Sequence, residues 1–267
     1  IGILGCGWLG LPLGRYLYNR GYNVIGSTTS ENKLPLLEKK HISPFLLNLE
    51  KDAIQGNIEA FKDCRVIIVN IPPRRKSPDV IHYEKKILRF IEAISAFKTK
   101  HILFVSSTSV YGQEEKLLSE STRPKPISES GKQLLRVEDV LNNHIELNNT
   151  TIRFGGLIGY DRMPGRFLAN KKDLPNGGSP VNLIHRDDCI EAIYQIISQE
   201  KWGHIFNACS PEHPSKNEFY KQAATSMNLT PPVFKDMNDG GKSISSKLLI
   251  SELNFKFKYQ NPLDCIF

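Results

Sequence analysis

Ile1-Gly2-Ile3-Leu4-Gly5-Cys6-Gly7-Trp8-Leu9-Gly10 sets an apolar stub directly before a glycine-rich turn, and the residues from Trp8 to Asn19 read as a helix stopped by Gly21. Strand, G-x-G-x-x-G turn and helix in that order are the fingerprint of a dinucleotide pyrophosphate site. Gly5 permits the tight turn, Gly7 lets the backbone approach a phosphate without a Cβ in the way, and Gly10 lets the helix pack closely on the strand. The start of such a helix offers N–H groups and a partial positive charge to the anion. Pro12 lies near the helix start, where a missing N–H does least harm. Val24-Ile25-Gly26 follows as a second strand.

The chain of 267 residues can form one large domain or a main domain with a smaller lobe, and 40% hydrophobic with 24% charged residues is an ordinary globular composition. The formal net charge is +7, but the lysines are scattered and form no dense basic run. A solvated basic surface that mildly attracts anionic ligands is expected, and no nucleic-acid partner. Cys6, Cys64, Cys189, Cys209 and Cys265 are widely separated, with no C-x-x-C pair and no histidine at zinc-ligand spacing. They read as reduced thiols, and no metal site is expected. No apolar run approaches the roughly 20 residues that span a bilayer, and no secretory leader stands before the first strand. No membrane partner and a cytoplasmic location are therefore expected. The chain begins inside that strand, so a few residues are expected ahead of Ile1 in a longer sequence.

Onward from the turn, strands and helices alternate as in a parallel sheet with crossover helices. Ser30 is expected to cap a helix running to about Lys40, and Phe45-Leu46-Leu47 to form a third strand. Arg65-Val66-Ile67-Ile68-Val69-Asn70 is an almost unbroken β-branched run, which suits a strand buried on both faces in mid-sheet. Ile71-Pro72-Pro73 ends it, and Ile87, Leu88, Ile91 and Ile94 form the apolar stripe of a helix expected over 79–97. His101-Ile102-Leu103-Phe104-Val105 reads as the fifth strand, Glu129 to about His144 as the next helix, and Thr151-Ile152-Arg153-Phe154 as the sixth strand. From Gly155 the pattern loosens, with Pro164-Gly165 and Asn176-Gly177-Gly178 marking insertions. The expected fold is α/β: a Rossmann-type doubly wound parallel sheet over 1–155 and about 187–203, with a small C-terminal substrate lobe from 156–186 and 204–267 that is not an independent domain.

A site that reads the ribose 2′-hydroxyl of NAD usually places a carboxylate about twenty positions past the first glycine. Here the end of strand two reads Gly26-Ser27-Thr28-Thr29-Ser30, with no acid before Glu31. Hydroxyls tolerate a 2′-phosphate that a carboxylate would repel, and Lys33 or a nearby lysine can add positive charge. NADP is the expected cofactor, with NAD as the alternative.

Val105-Ser106-Ser107-Thr108-Ser109-Val110-Tyr111-Gly112 resembles the S-S-x-x-V-Y-G segment of extended short-chain dehydrogenases/reductases, the NAD(P)-dependent epimerase/dehydratase superfamily. Thr151-Ile152-Arg153-Phe154-Gly155-Gly156-Leu157-Ile158-Gly159 is similar to that family's I-L-R-x-G-x-x-Y-G segment. Pro180-Val181-Asn182-Leu183-Ile184-His185-Arg186-Asp187-Asp188 is similar to its N-x-I-H-V-D-D segment, and His204-Ile205-Phe206-Asn207-Ala208 to its strand V-Y-N-V. Gly241-Lys242-Ser243-Ile244-Ser245 resembles the G-K-R-V-S motif of an atypical reductase branch. The likeness runs in order along nearly the whole chain.

The resemblance implies that Ser107 polarises the substrate oxygen. In the family a tyrosine of a Y-x-x-x-K motif on the following helix is the general acid/base, and its lysine binds the nicotinamide ribose and lowers the tyrosine pKa. A phenol near pKa 10 needs such a cation to act near neutrality. Here the helix reads Ser128-Glu129-Ser130-Gly131-Lys132-Gln133-Leu134-Leu135-Arg136-Val137-Glu138, without a tyrosine. Counting back from Lys132 sets Ser128 at the tyrosine position, and aligning Glu138 with the family's helix glutamate sets Ser130 there. A serine hydroxyl cannot take over the phenol's role without a base beside it. Lys132 stays a candidate ribose ligand or a surface lysine, and Tyr111 a candidate substitute acid. His185 with Asp187 and Asp188 reads as a strand end and helix start before a catalytic pair. His82 and Tyr83 are further candidates to face a cleft, whereas Tyr16, Tyr18 and Trp202 read as packing or surface residues.

The full set expected at the cofactor is Gly5, Gly7, Trp8, Leu9, Gly10, Ser27, Thr28, Thr29, Asn70, Ile71, Ser106, Phe154 and Gly155. Fold-level analogy carries cofactor binding further than chemistry. Three function classes are therefore open: an NADP-dependent oxidoreductase or epimerase-like enzyme acting on a carbonyl or sugar-like alcohol of a small molecule; an NADP(H)-binding sensor that has lost the chemistry; and a nucleotide-sugar binder whose diphosphate is gripped by Arg162, Arg166, Lys171 and Lys172. The resemblance suggests a homodimer through the helices after strands four and five.

Overall fold

The computed structural model describes residues 1–113, 116–143, 147–238 and 240–266. In chain order its elements are β1 (Gly2–Leu4), α1 (Gly10–Asn19), β2 (Ile25–Thr28), α2 (Leu34–Glu38), β3 (Ser43–Leu49), β4 (Ile54–Gly56), β5 (Val66–Val69), α3 (Tyr83–Ala93), β6 (His101–Ser107), β7 (Leu117–Leu118) and α4 (Glu129–Asn142). Then follow β8 (Asn148–Phe154), β9 (Gly156–Ile158), α5 (Gly165–Leu168), β10 (Leu183–His185), α6 (Arg186–Ser198), β11 (Ile205–Ala208), α7 (Lys216–Ser226), β12 (Ser243–Ile244) and α8 (Lys247–Leu253).

Among the described residues eight strands form one sheet in the order β11-β8-β6-β5-β1-β2-β3-β4. β1 pairs in parallel with both β2 and β5, and β2–β3 and β5–β6 are parallel as well. This is the Rossmann-type α/β fold. The chain leaves β1 toward β2 and β3 and returns on the other side of β1 at β5. A topological switch point therefore lies between β1 and β5, where open α/β sheets form a ligand crevice outside the carboxyl ends of the strands. β5 is buried along its whole length, as its β-branched run requires in mid-sheet. β4 runs antiparallel to β3 and exposes Gln55 and Gly56 at the sheet edge. Three residues are too few to show a period of two, so it has no sequence signature.

Helix boundaries depart from expectation in four places. α1 starts at Gly10 and not at Trp8, because the residues before it complete the glycine turn. Over 30–40 a 3-10 turn at Glu31–Lys33 precedes α2, whose Pro35 sits at the helix start, where its missing N–H is tolerated. Ser30 has the extended backbone of an N-cap, but its side chain caps nothing; its N–H donates to Thr28 Oγ1 at 3.2 Å. Over 79–97 a 3-10 turn at Pro78–His82 comes first and α3 ends at Ala93. α4 ends at Asn142, and His144, the expected end, lies outside the described residues.

The chain divides into two compact units, one made of 1–110, 124–152 and 193–205, the other of 111–123, 153–192 and 206–267. The second takes in 111–123, 153–155 and 187–192 besides the stretches expected for the C-terminal lobe, of which 204–205 fall in the first unit and the last residue, Phe267, lies outside the described residues. The first unit buries Leu13 and Leu17 of α1, Ile67 and Ile68 of β5, and Phe90 and Ile91 of α3. Burying each such side chain contributes about 1.5–3 kcal/mol. The second unit has its own cluster of Ile158, Val181, Leu183, Phe219 and Cys265, and two short parallel pairs, β9–β10 and β7–β12. All five cysteines are buried and unbridged. Among the described residues no helix is long and apolar enough to cross a membrane.

Candidate functional site

Gly5 has φ +102°, a conformation that side chains strain, and a Cβ on it would lie 2.6 Å from Ile71 Cγ2. Its N–H donates to Ser27 Oγ at 3.0 Å and its carbonyl accepts from Asn70 Nδ2 at 3.0 Å, while Cys6 N–H donates to Ser27 O at 2.8 Å. The turn after β1 is thus pinned by the ends of both neighbouring strands. A Cβ on Gly10 would fall 2.3 Å from Gly5 O, so α1 rests directly on the turn. Gly7 differs: it is exposed, and no described atom beyond its two chain neighbours lies within 4 Å of where its Cβ would be. Among the described residues no acid occupies the first turn of α1, so no side-chain carboxylate competes for its N–H groups.

Gly5, Gly7, Ser27, Thr28, Thr29, Asn70 and Ile71 line a single cavity of about 550 Å³ at the switch point. The same cavity is lined by the cations Lys33, Lys51, Arg74 and Lys86 and by the carboxylates of Glu50 and Asp79. Lys86 pairs with Asp79, and that hydrogen bond holds the Asp79 carboxyl below its usual range. Asn48 Nδ2 donates to Glu50 Oε1 at 3.2 Å. An open space at Gly7 together with a majority of cations fits an anionic dinucleotide. Asn48, Glu50, Lys51 and Arg74 are absent from the sequence-based set, although each lies at or shortly after the carboxyl end of β3 or β5, and that position is the available signal. Tyr83 also lines the cavity, but its hydroxyl donates to Ile71 O at 2.8 Å and burial pushes its pKa up, which makes it framework.

Trp8, Leu9 and Gly10 are not among the residues that line the cavity: Leu9 is buried, and Gly10 packs on the Gly5 carbonyl. Ser106 Oγ donates to Glu138 Oε1 at 2.5 Å, both side chains being buried, so it ties β6 to α4. Ser107 is half-buried, and its Oγ accepts from Ser109 N–H at 3.2 Å, which leaves its own proton to donate. Ser128 is the N-cap of α4 and accepts from Gly131 N–H at 3.2 Å; Ser130 is buried, 3.3 Å from the Ser128 hydroxyl. Lys132 is exposed.

Tyr111 belongs to the second unit, where it is buried under the Arg153 guanidinium, 5.0 Å from the ring centre. Its hydroxyl accepts from Arg153 Nη1 at 2.7 Å and lies 2.9 Å from Ser119 O and 3.0 Å from Asn207 Oδ1. Burial raises its pKa against the opposing pull of Arg153. Phe154 is buried in the same unit, and a Cβ on Gly155 would lie 2.6 Å from Cys209 Sγ and 2.7 Å from Asn182 O. Tyr16 packs edge-on against Tyr194, Tyr18 stacks on His41, and Trp202 stacks on His101.

His185 ends β10, and its Nδ1 accepts from Asp187 N–H at 3.2 Å in the first turn of α6. Burial lowers its pKa, outweighing the raising effect of Asp187. Asp187 accepts from Tyr160 Oη at 2.9 Å and from Lys258 Nζ at 2.8 Å, which hold its carboxyl below the usual range despite burial. Asp188, almost fully buried, accepts from the backbone N–H groups of Lys258 at 2.7 Å and Tyr259 at 3.2 Å. It clamps the C-terminal segment, and burial pushes its pKa up to about 6. A carboxyl whose folded pKa exceeds its unfolded value stabilises the fold most at low pH. That contribution is lost as pH rises from about 4 through 6, roughly 3 kcal/mol in all. Asp188→Asn is expected to flatten the fall in urea midpoint between pH 4 and pH 6.5; an unchanged slope would assign the pH dependence elsewhere.

Residues 5–200 match the family described as NAD(P)H-binding. Over 267 residues the chain is 36% identical to Protein YeeZ of Escherichia coli strain K12, covering 98% of this chain and 97% of that one. Over 138 residues it is 28% identical to GDP-6-deoxy-D-talose 4-dehydrogenase of Aggregatibacter actinomycetemcomitans, 47% of each chain. In structure it resembles UDP-glucuronic acid 4-epimerase from Bacillus cereus, solved with UDP-glucuronic acid and NAD, with a TM-score of 0.79 at 17% identity over 100% of this chain and 96% of that one.

Proposed function

The chain belongs to the NAD(P)H-binding family and has the fold of the epimerase/dehydratase superfamily, and on that premise we propose an NADP-dependent oxidoreductase or epimerase-like enzyme acting on a carbonyl or sugar-like alcohol of a small molecule. The observation that carries this reading is the cavity that joins the open side of Gly7 to hydroxyls and lysines after β2. The nicotinamide supplies hydride transfer when bound. Gly7 and the start of α1 receive the pyrophosphate, while Ser27 and Asn70 hold the turn in shape through their bonds to Gly5. Thr29 and Lys33, both exposed on that cavity, favour a 2′-phosphate over a bare 2′-hydroxyl. Ser107 polarises the substrate oxygen with the proton that its own contact to Ser109 leaves over.

A second reading, an NADP(H)-binding sensor without turnover, is favoured by α4. That helix has no tyrosine, its Ser128 is taken up as a cap, and its Lys132 faces solvent. Titration with NADPH and NADH, followed by nicotinamide fluorescence, tests what both readings share; a screen of aldehydes, ketones and sugars with the bound nucleotide separates them. Lys33→Met is expected to weaken NADPH about fivefold and to leave NADH nearly unchanged. Equal weakening of both nucleotides would remove Lys33 from 2′-phosphate recognition, and failure of both nucleotides to bind the parent protein would end the enzyme reading.

A further inference from the structure

We propose that the second unit carries a pocket for a small hydroxylated carboxylate, such as a free sugar acid, with no nucleotide attached. Only the idea that this ligand is the substrate rests on the enzyme reading above. A cavity of about 540 Å³ has all its described lining residues within this unit. Its wall is stitched from two segments: Asn182 Nδ2 donates to Lys242 O at 2.7 Å, Asn182 Oδ1 accepts from Ile244 N–H at 2.8 Å, and Ser179 Oγ donates to Gly240 O. A Cβ on Gly178 would fall 2.4 Å from Met237 O, so the two segments touch at the backbone.

Two ammonium groups line this cavity. Lys242 is half-buried and donates to Tyr111 O at 3.0 Å, with burial lowering its pKa; Lys216 is the first residue of α7. Gln113, Asn176 and Asn238 contribute amides, each with donors and an acceptor, which is what ligand hydroxyls need. Among the described lining residues the charged groups are these two cations, which suits an anion, and the lining says which kind. Among the described lining residues there is no arginine to grip a diphosphate bidentately and no aromatic ring on which a base could stack. Nor can the start of α7 cradle a phosphate. The N–H groups of Lys216 and Asn217 donate to Ser179 O and Gly177 O, both at 2.8 Å, and that of Glu218 to Ser215 Oγ at 3.1 Å. Point-charge ammonium groups among amides suit a carboxylate flanked by hydroxyls.

D-glucuronate, D-gluconate, UDP, UDP-glucuronate and D-glucose are titrated into the full chain and followed by amide NMR shifts and by melting temperature. At least one of the two sugar acids is expected to saturate, and UDP and glucose are not. Lys242→Met and, separately, Lys216→Met are expected to weaken that acid about tenfold. A normal melting curve and unchanged NADPH affinity in at least one variant exclude misfolding. UDP binding that responds to Lys242→Met would make this a nucleotide site and overturn the proposal. So would failure of both acids to saturate, or an affinity unmoved in both variants. Loss of NADPH binding by the parent protein with sugar-acid binding intact would end the enzyme reading and leave this pocket standing.

Discussion

Gly7→Asp is expected to raise the Kd for NADPH and NADH at least about 100-fold while the far-UV spectrum and melting curve stay those of the parent protein. The two halves of that result have separate causes. No described atom beyond the two chain neighbours lies within 4 Å of the Cβ position, so the fold accommodates the new side chain without a clash. The same openness sends a carboxylate into the cavity where the pyrophosphate is to lie. Like charges about 4 Å apart repel by roughly 1 kcal/mol in bulk water and several times that in a partly desolvated cleft. Calorimetric titration of the variant measures both halves. Unchanged NADPH affinity in a normally folded variant would take the pyrophosphate off this turn and the proposed function with it.

Gly10→Ala, three residues on, is expected to act on the fold first. Its methyl would lie 2.3 Å from Gly5 O and 2.9 Å from Asn70 Nδ2, so either α1 lifts off the turn or the Asn70–Gly5 bond breaks. Overpacking of this kind costs about 1–3 kcal/mol. Alanine's better helix propensity returns up to about 1 kcal/mol, less at a first helical residue than in mid-helix. A melting temperature lower by a few degrees follows, at roughly 2–4 °C per kcal/mol for chains of this size. Scanning calorimetry measures it; an unshifted transition would mean that the turn yields freely. The two glycines, alike in the motif, thus separate into one that serves the ligand and one that serves the helix.

How far the sequence could be read follows from where the physics is local. The glycine turn, the β-branched run of β5 and the alternation of strands and helices are short-range patterns, and the sheet is built on them. Tyr111 shows the limit. Its place in the V-Y-G segment marks it as a candidate acid, yet its hydroxyl is taken up by Arg153 and Asn207, 42 and 96 residues away in the chain. Ser106 is bound in the same manner to Glu138, and Asp188 to a segment 70 residues downstream. Such partners leave no local periodicity. The cations of the nucleotide cavity sit between these cases: Lys33 stands beside the motif, whereas Lys51 and Arg74 reach the same cavity only because β3 and β5 end there.

The chain crosses between its two units five times, and β8, α6 and β11 each begin in one and end in the other. No single cut in the gene would release either unit as a continuous fragment, and no recombination at one boundary would exchange the second unit for another. Divergence of the ligand pocket must instead proceed by separate changes in three stretches, 111–123, 153–192 and 206–267, each of which leaves the first unit anew. Grafting a new specificity onto this scaffold would be a task of coordinated loop replacement, closer to redesigning an antibody's binding loops than to shuffling modules.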